Sequence, residues 1–224
     1  MANIKQCIDE FQATLVTARL DVTKNELCDG SEVQIVLCSR DEISVIGNVS
    51  LRKGRNGTRL IDVTANVRWT APERQMALLR SLMPLQPGDP PPTPEIILLR
   101  NGIHPLISID FHFVDPHCMW RGSKTITPDN FQSIDAWFYD IFMFLTKTIT
   151  PKFKFLCDKD RLSDEVVRPF HETGLHILPQ CVAGILKCAG KYDALSEWIS
   201  ECKRGRHGGT NRYLEYYFDS LQNL

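Results

Sequence analysis

Three consecutive segments between residues 32 and 69 constrain the fold of this chain more than any other feature. The segments 32–38, 42–51 and 58–69 are rich in Val, Ile and Thr, and turns that mostly contain glycine separate them. The turn from Lys53 to Gly57 ends in Asn-Gly, which is a strong hairpin signal. Since strands joined by short turns pair antiparallel, these segments predict an antiparallel β-meander.

Helical patterns flank the predicted meander. Ile4, Ile8, Phe11 and Leu15 recur at three- and four-residue spacing, which predicts an amphipathic helix over 3–20. Further helices are predicted by sequence pattern over 72–83, about 129–147, 163–172, 178–202 and 211–222. A helix, a run of strands and then further helices indicate an α+β fold with the sheet packed on helices.

Composition restricts the classes of protein to which the chain belongs. Of its 224 residues 43% are hydrophobic and 24% are charged, which suits an ordinary folded core. The net charge of -1 disfavours nucleic-acid binding, since such domains are usually strongly basic. No secretory signal and no apolar run long enough for a membrane span occur, so we expect a cytoplasmic protein whose eight cysteines are reduced thiols.

The stretch from Pro90 to Cys118 carries the candidate chemistry. Six prolines between residues 84 and 94 precede a short apolar strand at 96–99, then His104-Pro105, and finally Cys118 beside His117. A nucleophilic cysteine needs a partly exposed position near groups that favour the thiolate. The alternative interpretation is that Cys118 is a small apolar side chain lining a loop, as free cysteines usually are.

With these residues in place, the chain resembles the ubiquitin-conjugating enzyme family. That family has a first helix, a four-stranded meander, a Pro-x-apolar-x-apolar element, a His-Pro-Asn motif, the catalytic cysteine and a central helix. Here Pro94 begins the proline element, His104 follows ten residues later, and Cys118 stands where the catalytic cysteine is expected. The resemblance covers roughly residues 3–147, and it is to divergent members of bacterial ubiquitin-like conjugation systems.

The resemblance implies a domain organisation and an activity. It implies a ubiquitin-conjugating-enzyme-like domain over 1–150 and a helical C-terminal extension over 151–224 packed on it. Cys118 would carry a ubiquitin-like protein as a thioester and pass it to a lysine of a protein substrate. His104 would support the active-site loop, and His117 is a further candidate beside the thiol.

The same resemblance implies the partners. A ThiF-like, ATP-dependent activating enzyme would load the ubiquitin-like protein, with the first helix as its docking surface, and antiviral defence is the expected role. No small-molecule cofactor and no metal are needed, because the energy is stored upstream in the adenylation and thioester steps. A metal site built from His112, His117 and Cys118 is the alternative interpretation of the same residues.

One departure from the family opens a second hypothesis. Leu106 replaces the family's asparagine, which helps to stabilise the oxyanion during lysine attack. Under this hypothesis the chain is a catalytically silent variant of the fold that binds a ubiquitin-like protein. A third interpretation is that it is an unrelated α+β interaction protein. Candidate oxyanion donors are Asn101, Ser108, Ser123 and backbone N–H groups, and candidate groups for orienting the lysine are Asp115 and Asp129.

Overall fold

The computed structural model shows a mixed α+β fold. It describes residues 4–17, 20–27, 30–54, 58–82, 107–126, 134–207 and 212–223. Within these ranges, seven strands form one sheet in the order β1-β2-β3-β4-β5-β7, and β6 pairs with β4 beside that path. Every pairing is antiparallel, which confirms the predicted fold class.

The first four strands form the predicted meander. They are β1 (Asp21–Leu27), β2 (Gly30–Arg40), β3 (Ile43–Lys53) and β4 (Arg59–Trp69). In register, Val33 of β2 faces Val49 of β3, and Val49 faces Val63 of β4, so apolar pairs run across the sheet. Strand β1 was not predicted, because its sequence DVTKNEL has no regular apolar alternation. It lies at the edge of the described sheet, where it pairs with β2.

Two helices cover one face of the meander. Helix α1 (Ile4–Thr17) lies next to the central helix, and their Phe11 and Phe138 rings stack with centroids 4.4 Å apart. The central helix, α4 (Ile134–Met143), continues as a π-helical segment, Phe144–Ile149. Gly47 of β3 permits its close approach, since a Cβ there would lie 2.9 Å from Leu145 Cδ1.

Short elements extend the sheet between the meander and the central helix. Helix α2 (Thr70–Leu82) follows β4 directly, and the chain is next described at β5 (Ile107–Ile109). A one-turn helix, α3 (Phe111–Val114), and strand β6 (Lys124–Ile126) then lead towards α4. The FHF sequence around His112 alternates like a strand but forms a helical turn, because Asp110 accepts a hydrogen bond from the His112 N–H and caps the turn.

The chain after the central helix forms a series of short helices and one strand. These elements are α5 (Thr150–Phe153), a 3₁₀ turn (Lys154–Cys157), α6 (Lys159–Glu165), α7 (Phe170–Thr173), β7 (Leu175–Ile177), α8 (Pro179–Ala189), α9 (Tyr192–Lys203) and α10 (Arg212–Asn223). Strand β7 pairs with β5, so this part of the chain completes the same sheet. The division at residue 150 stays a prediction.

Two predicted C-terminal helices are each divided. The predicted helix over 178–202 is two helices, because Gly190 adopts a left-handed conformation with φ of 76° and ends α8. The predicted helix over 163–172 is likewise replaced by the end of α6 and by α7, with Pro169 between them. None of the described helices has both the length and the apolar character that a membrane span requires.

Candidate functional site

A tight turn fixes the position of Cys118. The Cys118 backbone N–H donates to the Asp115 carbonyl oxygen at 2.9 Å, and the His117 N–H donates to Asp115 Oδ1 at 2.9 Å. Aspartate followed by proline favours such a turn, because the carboxylate accepts from the backbone two residues on and proline presets its own φ. The sequence Asp-Pro-His-Cys therefore holds the thiol in one place after α3.

The Cys118 side chain belongs to the hydrophobic core. It is 6% exposed, whereas the next residue, Met119, is 42% exposed. Trp120 is buried two positions later, and its ring packs edge-on to Trp137 with centroids 6.2 Å apart. The turn thus lies at the surface while the thiol points inward.

The surroundings of Cys118 disfavour its thiolate. Burial raises the pKa of the Cys118 thiol, and the negative charge of Asp115 acts in the same direction. The Trp120 backbone N–H and the charge of Lys124 lower this pKa, but they do not outweigh burial. Since only the thiolate is a strong nucleophile, the folded chain alone holds Cys118 in its less reactive form.

The two histidines near Cys118 do not activate it. The His117 side chain is exposed, and among the described residues no hydrogen bond joins its ring to the Cys118 sulfur. His112 is also exposed and lies with Nδ1 3.5 Å from Arg121 Nη1. In the part of the chain that the structure describes, no group of three or more His, Cys, Asp or Glu could hold a metal ion, so nothing supports the metal alternative.

Of the other candidates, two serines can be placed. Ser123 donates a hydrogen bond to Asp62 Oδ1, so its hydroxyl is already engaged. Ser108 lies on β5 with an exposed side chain, in register with Asn66 on one side and His176 on the other. His104, Leu106, Asn101, Asp129 and the proline element at 94–98 lie outside the described residues.

A groove lies between α1 and α4. It has a volume of about 260 Å³ and a mainly apolar lining. Its lining residues are Glu10, Phe11, Thr14, Leu15, Phe138, Tyr139 and Phe142. Tyr139 is 62% exposed at this groove, and an exposed aromatic ring beside an apolar groove is a feature of protein-binding surfaces.

The sequence did not predict a second cavity, which lies beside β7. It has a volume of about 340 Å³, and its walls include two stacked pairs of rings. Phe170 and His176 have centroids 4.2 Å apart, and Trp198 and His207 have centroids 4.0 Å apart. Its residues come from four separate elements of the C-terminal part and from the loops beside them, so no local sequence signal could have found it.

Carboxylates contact the basic side chains of this cavity. Arg168 pairs with Glu165 at 2.8 Å and with Glu172 at 3.2 Å. His176 Nε2 lies 3.7 Å from Asp110 Oδ2, and the His207 ring contacts Glu201. The cavity therefore offers aromatic walls rather than a free positive charge.

Comparison with models of protein families, with curated proteins and with solved structures gave no match.

Proposed function

We propose that this chain is a ubiquitin-conjugating-enzyme-like domain that binds a ubiquitin-like protein and does not carry it as a thioester. The order of elements supports the domain type. Helix α1, the meander β1–β4, the Cys118 turn and the central helix α4 follow one another as the resemblance implies. Binding is the property that both hypotheses from the sequence share.

The low exposure and the raised pKa of Cys118 favour the binding hypothesis over the conjugating enzyme. A thioester carrier must present a thiol that an acyl donor can reach, and its thiolate must form near neutral pH. Cys118 is 6% exposed and its pKa is raised by burial. Both properties are those of a structural cysteine in a core.

Binding is tested with a panel of bacterial ubiquitin-like proteins, each immobilised on a biosensor. Saturable binding of the full chain at micromolar concentrations is expected, and Cys118→Ala should leave the affinity unchanged because the thiol is not part of the contact. No saturable binding at any reachable concentration would contradict the proposal.

The groove between α1 and α4 is the proposed docking surface for a second partner, the activating enzyme. Tyr139→Ser removes an exposed ring from the groove and should weaken that interaction at least about tenfold, as for an interface anchor. Tyr192→Ser is the matched control, since Tyr192 is 63% exposed on α9 and lies outside the groove lining. Equal affinities of the two variants would rule out this surface.

The second candidate function is the conjugating enzyme itself. The position of Cys118 supports it, because the thiol follows an irregular turn between α3 and β6 and has the exposed Met119 beside it. A small movement of this turn on partner docking would expose the sulfur. Alkylation of Cys118 by iodoacetamide, followed by peptide mapping, tests this candidate directly.

Two comparisons are needed in the alkylation experiment. The folded chain alone should react at Cys118 at least about tenfold more slowly than the urea-unfolded chain, because burial withholds the thiolate. Addition of the activating enzyme should leave that rate unchanged if the chain is a binding module. Acceleration to the unfolded rate would favour the conjugating enzyme.

A further inference from the structure

Two cysteines far apart in the chain lie together in the fold. Cys38 and Cys157 are 119 positions apart, and their sulfur atoms are 3.3 Å from each other. Cys38 is half-buried and Cys157 is buried. This contact is distant in sequence from Cys118 and does not depend on the proposed function.

Local backbone geometry aims both thiols at the same point. Cys38 follows an irregularity in β2, where the register with β3 shifts between Val36 and Cys38. Cys157 ends the 3₁₀ turn, and its Sγ lies 3.5 Å from the Cys38 carbonyl oxygen. A bulge turns the side chains of a strand away from their regular positions, which here directs Cys38 towards the helical segment.

An ion pair holds the same two elements together. Arg40 Nη1 lies 3.0 Å from Asp158 Oδ2, so residues one or two positions beyond the two cysteines are also in contact. Asp158 is fixed in turn, because its carboxylate accepts hydrogen bonds from the backbone N–H groups of Asp160 and Arg161 at the start of α6. The two sulfurs are therefore positioned by the fold and not by one flexible side chain.

The two thiols differ in acidity. The hydrogen bond between the two sulfurs lowers the pKa of Cys157, whereas the same contact and burial raise the pKa of Cys38. Cys157 is thus the sulfur that ionises first, with Cys38 as the neighbouring thiol. Redox-active pairs have such a nucleophilic thiolate and a resolving thiol beside it.

We propose that Cys38 and Cys157 form a reversible intramolecular disulfide on exposure to a hydroperoxide. The Cys157 thiolate attacks the peroxide oxygen, the O–O bond breaks, and the alcohol or water leaves after taking up a proton. Cys38 then attacks the resulting sulfenic sulfur, and water leaves as the S–S bond forms. In total, two thiols are oxidised by two electrons and one peroxide is reduced, and a thiol reductant reverses the change.

The geometry allows the bond with little rearrangement. A disulfide has an S–S distance of about 2.05 Å, so the sulfurs must approach by about 1.2 Å from their 3.3 Å separation. The bond would join β2 to the segment that follows the central helix and would close a loop of more than a hundred residues. Such a cross-link restricts the unfolded chain and should therefore stabilise the folded one.

The experiment treats the full chain with equimolar hydrogen peroxide and then maps its peptides without reduction. A Cys38–Cys157 linked peptide is expected, together with a rise in Tm on the order of 5 °C that dithiothreitol reverses. Cys157→Ser should abolish both effects. Cys188→Ser is the matched control, since Cys188 is another half-buried cysteine and its Sγ lies 3.5 Å from Gln75 Oε1, and it should retain both effects.

Dimedone trapping tests which cysteine attacks the peroxide first, and this measurement does not depend on thermal stability. In Cys38→Ser, dimedone should trap a sulfenic acid on Cys157, because the resolving thiol is missing. The inference is overturned if peroxide leaves both wild-type thiols free for alkylation after unfolding. It is also overturned if a linked peptide forms between any other pair of cysteines and not between these two.

Discussion

Arg68 and Glu73 join the end of β4 to the first turn of α2 through two parallel contacts. Arg68 Nε lies 3.3 Å from Glu73 Oε1, and Arg68 Nη2 lies 3.1 Å from Glu73 Oε2. Glu73 is buried, whereas Arg68 is partly exposed. A planar guanidinium suits this two-point geometry, so the pair fixes how α2 leaves the sheet.

Removal of Arg68 should destabilise the protein strongly. Arg68→Ala leaves the Glu73 carboxylate buried without its partner, and we expect a loss of about 3 kcal/mol in the free energy of unfolding. Arg168→Ala is the matched control, because its pairs with Glu165 and Glu172 lie at the surface, and it should destabilise the protein far less. Urea denaturation measures both, and equal losses would contradict the account.

The same pair predicts a pH dependence. Burial raises the pKa of Glu73 above its ordinary value of 4.5, and Arg68 offsets only part of this effect. The contribution of Glu73 to stability is therefore fully present below pH 4.5 and is lost as the pH rises through the folded-state pKa. Glu73→Gln removes the titrating carboxyl group and with it this contribution to the pH dependence of stability.

The difference in free energy of unfolding, wild type minus Glu73→Gln, should consequently increase as the pH falls from neutrality towards 4.5. Urea denaturation of both proteins across this range provides the measurement, and the pH responses of all other groups cancel in the difference. A difference that stays constant, or that decreases towards acid pH, would be incompatible with a raised Glu73 pKa.

Two glycines with the same backbone conformation should respond differently to alanine. Gly174 and Gly190 have φ angles of 69° and 76°, so alanine at either position costs about 1 kcal/mol of backbone strain. A Cβ at Gly174 would also lie 2.7 Å from Phe113 Cβ and closer still to its ring, whereas none of the described residues comes within 4 Å of a Cβ at Gly190.

Gly174→Ala should therefore cost about 2 kcal/mol more than Gly190→Ala, because the close approach to Phe113 adds an overpacking penalty. Thermal unfolding of the two variants measures the difference. If both variants lose the same stability, the packing of Gly174 against the helical turn before Cys118 is not as described.

Local patterns predicted much of the scaffold. The Val- and Ile-rich segments with glycine-bearing turns identified β2, β3 and β4, since alternation and turn chemistry act over a few residues. The pairing of β5 with β7 was not predictable, because each strand has only three residues and their register depends on contacts across the fold.

The candidate site also combines features that local sequence predicts with features that depend on tertiary contacts. The Asp-Pro-His-Cys order is a local signal, and its turn is present in the structure. The burial of Cys118 and the contact between Cys38 and Cys157 are tertiary properties, and a spacing of 119 residues carries no local sign of either. Sequence could therefore locate a thiol but not assign its reactivity.

The most direct test of the central claim is an intact-mass measurement under two conditions. The chain is mixed with a ThiF-like activating enzyme, a ubiquitin-like protein and ATP, and the mixture is analysed both under native conditions and after denaturation without reductant. We predict a complex of the chain with the ubiquitin-like protein in the native spectrum and no covalent adduct after denaturation. A reductant-sensitive adduct that disappears in Cys118→Ser would contradict the account and establish a conjugating enzyme.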